Sequence, residues 1–99
     1  SDKANNFLKI VGSKLASIPN KIAIEGHTDA RPLNKGGNYT NYELSADRAN
    51  SARRTLISGG VDEGQIDEIR GYADKRLKDK ENPFGVANRR ISIIIKYLN

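Results

Sequence analysis

Two charged residues in this sequence stand where they could do binding chemistry: Arg48, set in an apolar helical stripe, and Asp29, at the end of a short apolar run. Along a helix each residue turns the wheel by about 100°. Over residues 41–58, with Leu44 at zero, Ala52 falls at about 80°, Leu56 at about 120° and Ala49 at about 140°. That arc predicts the buried face. Glu43, Asp47, Asn50 and Arg54 fall on the opposite side, where solvent residues belong. Arg48 lands at about 40°, between Leu44 and Ala52. An arginine there has two readings. Its stem lies along the apolar surface while the guanidinium reaches water, or a planar cation is held at the floor of a cleft, ready to take a carboxylate with two parallel hydrogen bonds. Arg53, at about 180°, touches the same arc and reads as the first kind.

Gly26-His27-Thr28-Asp29 follows Ile22-Ala23-Ile24 directly. The C-terminal ends of strands are where α/β sheets place ligands, and Gly26 permits close backbone approach. Asp29 could accept from a ligand ammonium or cap its own loop. His27 is the single histidine of the chain, so a histidine-based metal site has no partner for it, and it reads as structural. No nucleophile elbow and no glycine-rich phosphate loop is found.

The elements that must position these residues are legible. Phe7, Leu8, Val11, Leu15 and Ile18 recur at three- and four-residue steps and predict an amphipathic helix over 4–17, ended by Pro19-Asn20. Residues 21–27 read as a strand. Pro32, Asn34, Gly36, Gly37 and Asn38 make 29–40 a loop. Thr40 and Glu43 have the spacing of a capping box, opening a helix over 41–58 that Gly59-Gly60 ends. Ile66, Ile69 and Tyr72 suggest a second strand. Residues 73–88 form a long charged loop containing Asn82-Pro83, and Arg90–Ile95 is a final strand. The order helix, strand, helix, strand, strand gives an α/β two-layer arrangement, helices packed on one small sheet. The chain opens inside or just before a helix, so a first strand is expected to lie outside the sequence given.

Size and charge narrow the choice. Ninety-nine residues fit one small domain. With 36% apolar and 29% charged residues the chain is too apolar for a disordered tail and too polar for a membrane protein. No apolar run approaches the roughly 20 residues of a membrane helix, and no signal peptide opens the chain. Without cysteine there is no disulfide framework. A net charge of +5 favours anionic partners: nucleic acid, anionic lipid, or the carboxylate-bearing peptides of a cell wall. The densest basic stretch, Lys75, Arg76, Lys78 and Lys80, is interleaved with Asp74, Asp79 and Glu81 and reads as a solvated loop.

Three segments taken together resemble the OmpA-like family of peptidoglycan-binding domains. They are Gly26-His27-Thr28-Asp29; Asn41-Tyr42-Glu43-Leu44-Ser45-Ala46-Asp47-Arg48-Ala49; and Asn88-Arg89-Arg90-Ile91. Within that family the chain is most similar to the MotB-type branch of flagellar stator anchors, through its long loop with Gly36-Gly37 and through Asn82-Pro83-Phe84. It departs from many members in having Gly71-Tyr72-Ala73 where they carry Gly-x-Gly. The resemblance implies non-covalent binding of the peptidoglycan stem peptide at diaminopimelate, whose far carbon bears both an ammonium and a carboxylate. On this analogy Asp29 takes the ammonium and Arg48 the carboxylate. Thr28, Asn41 and Leu44 line the same pocket, and Arg89 adds a second contact. Partial burial of Arg48 would hold it rigid and strengthen its pull. The resemblance further implies no catalysis and no cofactor or metal, and a homodimer. It also implies a periplasmic location as the soluble C-terminal part of a longer inner-membrane protein, and a MotA-like ion-channel partner for that protein.

Other readings make different demands. An anchor of another envelope machine, such as a secretion system, would share the pocket. A nucleic-acid-binding domain would want a basic stripe with interleaved aromatics; the six aromatics form no such platform, and no nucleic acid is expected as a partner. A wall hydrolase would need a general acid or a metal-bound water, and neither Asp29 nor Glu25 has an evident partner in the sequence.

Overall fold

The first helix, α1 (Asp2–Leu15), begins where Ser1 accepts a hydrogen bond from the Ala4 amide, with Asp2 in its first turn and Lys14 in its last. Both charges suit the helix dipole. The structure is a computed structural model and describes residues 1–33 and 36–98. Asn34, read above as part of the loop, lies outside the described residues. Helix α1 starts and stops two residues earlier than its sequence pattern predicts, because the chain leaves it in a turn closed by Ser17 and Ile18 amides. The carbonyls at this exit are not left bare. The Gln65 side-chain amide donates to Leu15, Ile18 and Asn20, at 2.8, 3.2 and 3.0 Å.

Strand β1 (Ile22–His27) is buried along its whole length because it is the middle strand of three. It runs parallel to β2 (Ile66–Gly71) on one side and antiparallel to β3 (Arg90–Ile95) on the other. The second strand ends before Tyr72, which lies just beyond it. Helix α2 (Asn41–Ser58) begins at the residue the capping box predicts: the Thr40 amide donates to Glu43 at 2.7 Å and the Thr40 hydroxyl accepts from the Tyr42 amide at 3.1 Å. It ends at Gly59, and the left-handed turn falls on the next residue, Gly60, at φ 126°. A short 3-10 turn, Val86–Asn88, lies at the end of the charged loop.

Both helices lie on one face of the sheet. Their core is Leu15, Ile22, Ile24, Ala49, Ala52, Leu56 and Val61, flanked by Leu8, Val11, Ile18, Ile66, Ile91 and Ile93. Phe7 was expected in this core and is not: it is 65% exposed. Leu8, Val11, Gly12 and Leu15 fill the arc that faces inward, and Phe7 falls about 90° from its centre. Ser45, at about 100° on the α2 wheel and so inside the buried arc, was passed over as a polar residue and is fully buried.

Candidate functional site

Gly26 decides how closely α2 can lie on β1. A Cβ added there would come within 1.9 Å of the Ser45 carbonyl oxygen, so any other residue would push the helix off the strand. The close approach lets the Ser45 hydroxyl donate to Tyr42 O at 3.0 Å and accept from the Ala73 amide at 3.0 Å, tying α2 to the loop after β2. Ala73 itself adopts φ 54°, a left-handed conformation that favours glycine. The resemblance drawn from the sequence expects the second Gly of Gly-x-Gly at this position; the backbone keeps the left-handed turn without it. The Ala73 carbonyl accepts from the Thr28 amide at 2.8 Å, and the Ala30 amide donates to Pro83 O at 2.9 Å. Residues 28–30 are thereby held between two loops.

Thr28 and Asp29 follow β1 at its C-terminal end and are buried; Asp29 is 5% exposed. One carboxylate oxygen of Asp29 accepts from the Arg31 amide at 2.9 Å, so this residue does cap its own loop. The other faces Arg89 Nη1 at 3.4 Å. Asn41, the first residue of α2, donates from its side chain to Arg31 O at 3.1 Å and pins the same loop from the other side. Thr28, Asp29, Asn41, Leu44, Arg48 and Arg89, singled out from the sequence, all line one cavity of about 150 Å³. The sequence reading missed three further lining residues, Arg31, Pro32 and Leu33. Their one advance signal was an arginine two residues past Asp29, where an Asx turn returns the chain to the carboxylate.

Arg48 corrects an expectation. It is exposed, not half-buried. The fully buried neighbours on α2 are Ser45, Ala49, Ala52 and Leu56, and Leu44 beside Arg48 is itself only half-buried. Arg48 lies about 70° from the centre of that buried arc, and glycine at positions 26 and 71 brings Ser45, near the centre, against the sheet. What fixes Arg48 at the cavity is thus its place on a rigid helix and not burial of its stem. Arg53 fits the snorkelling reading: half-buried, it donates to Asn50 at 2.7 Å.

Asn88, Arg89 and Arg90 divide their tasks. Asn88 is fully buried. Its side chain accepts from the Asp79 amide at 2.8 Å and donates to the carbonyls of Asp79, Asn82 and Pro83 at 3.2, 3.0 and 3.3 Å, which organises the charged loop. Arg89 points to Asp29, while Arg90 donates to Arg76 O at 2.9 Å. His27 sits beside Glu25, with Nε2 3.5 Å from its carboxylate. It is buried and stacked on Tyr72 with ring centroids 5.2 Å apart, and Arg76 lies 4.0 Å over the other ring. Burial, with the positive field of Arg90 and Arg76, pushes its pKa below the usual histidine value, against the opposing pull of Glu25.

A model of the OmpA family matches residues 1–91. The chain belongs to the OmpA family. It is 44% identical over 92 residues to motility protein B of Escherichia coli K12, an alignment that covers 91% of this chain and 30% of that protein. It is 42% identical over 99 residues to the putative truncated flagellar export/assembly protein LafU of the same strain, covering 96% of this chain and 46% of that one. This OmpA-family chain thus spans less than half of the length of these relatives, 30% of one and 46% of the other. Its fold, two helices on a three-stranded mixed sheet, matches a crystal structure of the C-terminal domain of Helicobacter pylori MotB with a TM-score of 0.78 at 24% identity, covering 96% of this chain and 74% of the other.

Proposed function

We propose that this domain binds the stem peptide of peptidoglycan without catalysis and anchors a flagellar stator to the cell wall. The observation that carries the reading is one cavity lined by a buried carboxylate, Asp29, and by Arg48, with Thr28, Asn41, Leu44 and Arg89 around them. Diaminopimelate offers an ammonium and a carboxylate on one carbon. Asp29 takes the ammonium and Arg48 takes the carboxylate as a two-pronged pair. Each such charge-assisted bond contributes about 1.5–3 kcal/mol. Arg89 must share Asp29 with the incoming ammonium, and its freed N–H groups then turn to the ligand. The similarity to motility protein B supports the motor role. On that reading the domain lies in the periplasm as part of an inner-membrane-anchored homodimer, with a MotA-like channel subunit beside it.

The test is an NMR titration with a diaminopimelate-containing stem peptide, run beside Asp29→Asn and Arg48→Ala. Shifts should cluster at residues 28–29 and 41–48, and both variants should lose binding while staying folded. A folded wild type that shows no shifts at millimolar peptide would overturn the reading.

A further inference from the structure

The cavity is not electrically balanced. Three arginines, Arg31, Arg48 and Arg89, are among its lining residues, against the single acidic residue Asp29. Arg89 is already paired with Asp29. Among the described residues, neither Arg31 nor Arg48 has a carboxylate partner. A diaminopimelate carbon supplies one carboxylate, which Arg48 takes. Arg31 is left over.

Arg31 is also built into the site and not merely near it. Its amide donates to Asp29 and its carbonyl accepts from Asn41, so two cavity residues clamp its backbone. Its guanidinium lies 5.5 Å over the ring of Phe84, on the loop that Asn88 organises. Stacking on an aromatic face restrains the plane of a guanidinium and leaves its edge N–H groups free to bind a carboxylate. Phe84 is half-exposed and has this cation as its aromatic-face neighbour at the mouth of the site.

Resting on the stem-peptide reading above, we infer that Arg31 is a specificity-determining residue that selects stem peptides bearing a second free carboxylate. That group is either the α-carboxylate of the γ-linked D-glutamate or the C-terminal carboxylate of a trimmed stem. Phe84 is its positioning residue. Amidation of that carboxylate, or its use in a further peptide bond, replaces an anion by a neutral amide and removes what Arg31 binds.

The experiment measures affinity of the domain for synthetic L-alanyl-γ-D-glutamyl-meso-diaminopimelate and for two derivatives, one amidated at the glutamate α-carboxyl and one at the C-terminus. Wild type and Arg31→Gln are compared, with folding checked by NMR. One amidation should weaken wild-type binding about three- to tenfold, as befits a partly exposed charge-assisted pair. Arg31→Gln should bind the parent peptide more weakly by the same factor and be indifferent to that amidation. Phe84→Leu should lose part of this discrimination and add nothing in the Arg31→Gln background. The inference is overturned if wild type binds both amides as tightly as the parent, or if Arg31→Gln still discriminates between them. If the folded wild type binds none of the three peptides, or if Asp29→Asn binds the parent fully, the stem-peptide reading itself fails and this one with it.

Discussion

The two charged regions of this domain are wired in opposite ways. On the face of the sheet away from the helices, Arg70 and Lys96 are each paired with carboxylates. Arg70 bridges Glu25 at 2.8 Å and Glu68 at 3.1 Å, and Lys96 pairs with Glu68 and, at 2.8 Å, with Asp67. Arg70 and Lys96 together hold the Glu68 carboxyl down at about 2. Burial pushes the Glu25 carboxyl up, but Arg70 and His27 outweigh it and keep it below the usual range. At the ends of the strands, by contrast, three arginines line a cavity with one carboxylate. The same residue type is thus ion-paired at position 70 and, among the described residues, without a carboxylate partner at position 48, where the proposed function uses it.

The contrast can be broken at its base. Gly26→Ala places a methyl group against the Ser45 carbonyl, and a backbone oxygen cannot yield as a side chain can. Loss of about 3 kcal/mol or more is expected from urea unfolding, with loss of peptide binding, because the 28–30 segment and α2 would no longer meet. Next in size is a paired exchange. Arg48→Ala should weaken peptide binding about tenfold or more and leave the urea midpoint unchanged. Arg70→Ala should lower the midpoint, since it strands the buried Glu25, and leave peptide affinity unchanged. Two variants with the same signature would remove the distinction.

Acid should sharpen it further. The folded pKa of His27 lies below 6.5, so as pH falls through 6.5 the unfolded chain takes up a proton that the folded one refuses, and stability drops. Glu25 and Glu68 have folded values below 4.5, so their contribution is present above 4.5 and is lost on further acidification, towards about 2 for Glu68. His27→Gln should flatten the stability profile in the first window alone; parallel profiles for wild type and variant would rule this out. The smallest effect is expected at Ala73. Relief of its left-handed strain, about 1–2 kcal/mol, exceeds the loss of one buried methyl, about 0.8 kcal/mol. Ala73→Gly should therefore raise stability by under about 1 kcal/mol, read as a small upward shift of the melting temperature with binding unchanged.

Most of the fold was legible in the chain. Hydrophobic periodicity located both helices, the Thr40–Glu43 box set the start of α2 to the residue, and Gly59-Gly60 set its end. The residues singled out from the sequence, Thr28, Asp29, Asn41, Leu44, Arg48 and Arg89, meet at one cavity, though the sequence did not show how they pair there. The wheel over α2 placed burial on the arc of Ala52, Leu56 and Ala49, and Ser45, at about 100°, lies inside it. Only the apolar residues of that arc were read as buried, so a small polar one was passed over; two glycines on neighbouring strands make room for it.

The sequence by itself therefore determined which elements form and which side chains can carry charge to the strand ends. Those are properties of neighbours three or four residues apart, written in side-chain type and backbone preference. Only the tertiary structure decided how the charges are divided. It pairs Asp29 with Arg89, sixty residues away, stacks Arg31 on Phe84 from another loop, and turns Arg48 outward over the cavity. Such pairings depend on the close approach of α2 to the sheet, and no local pattern encodes the distance between two distant segments.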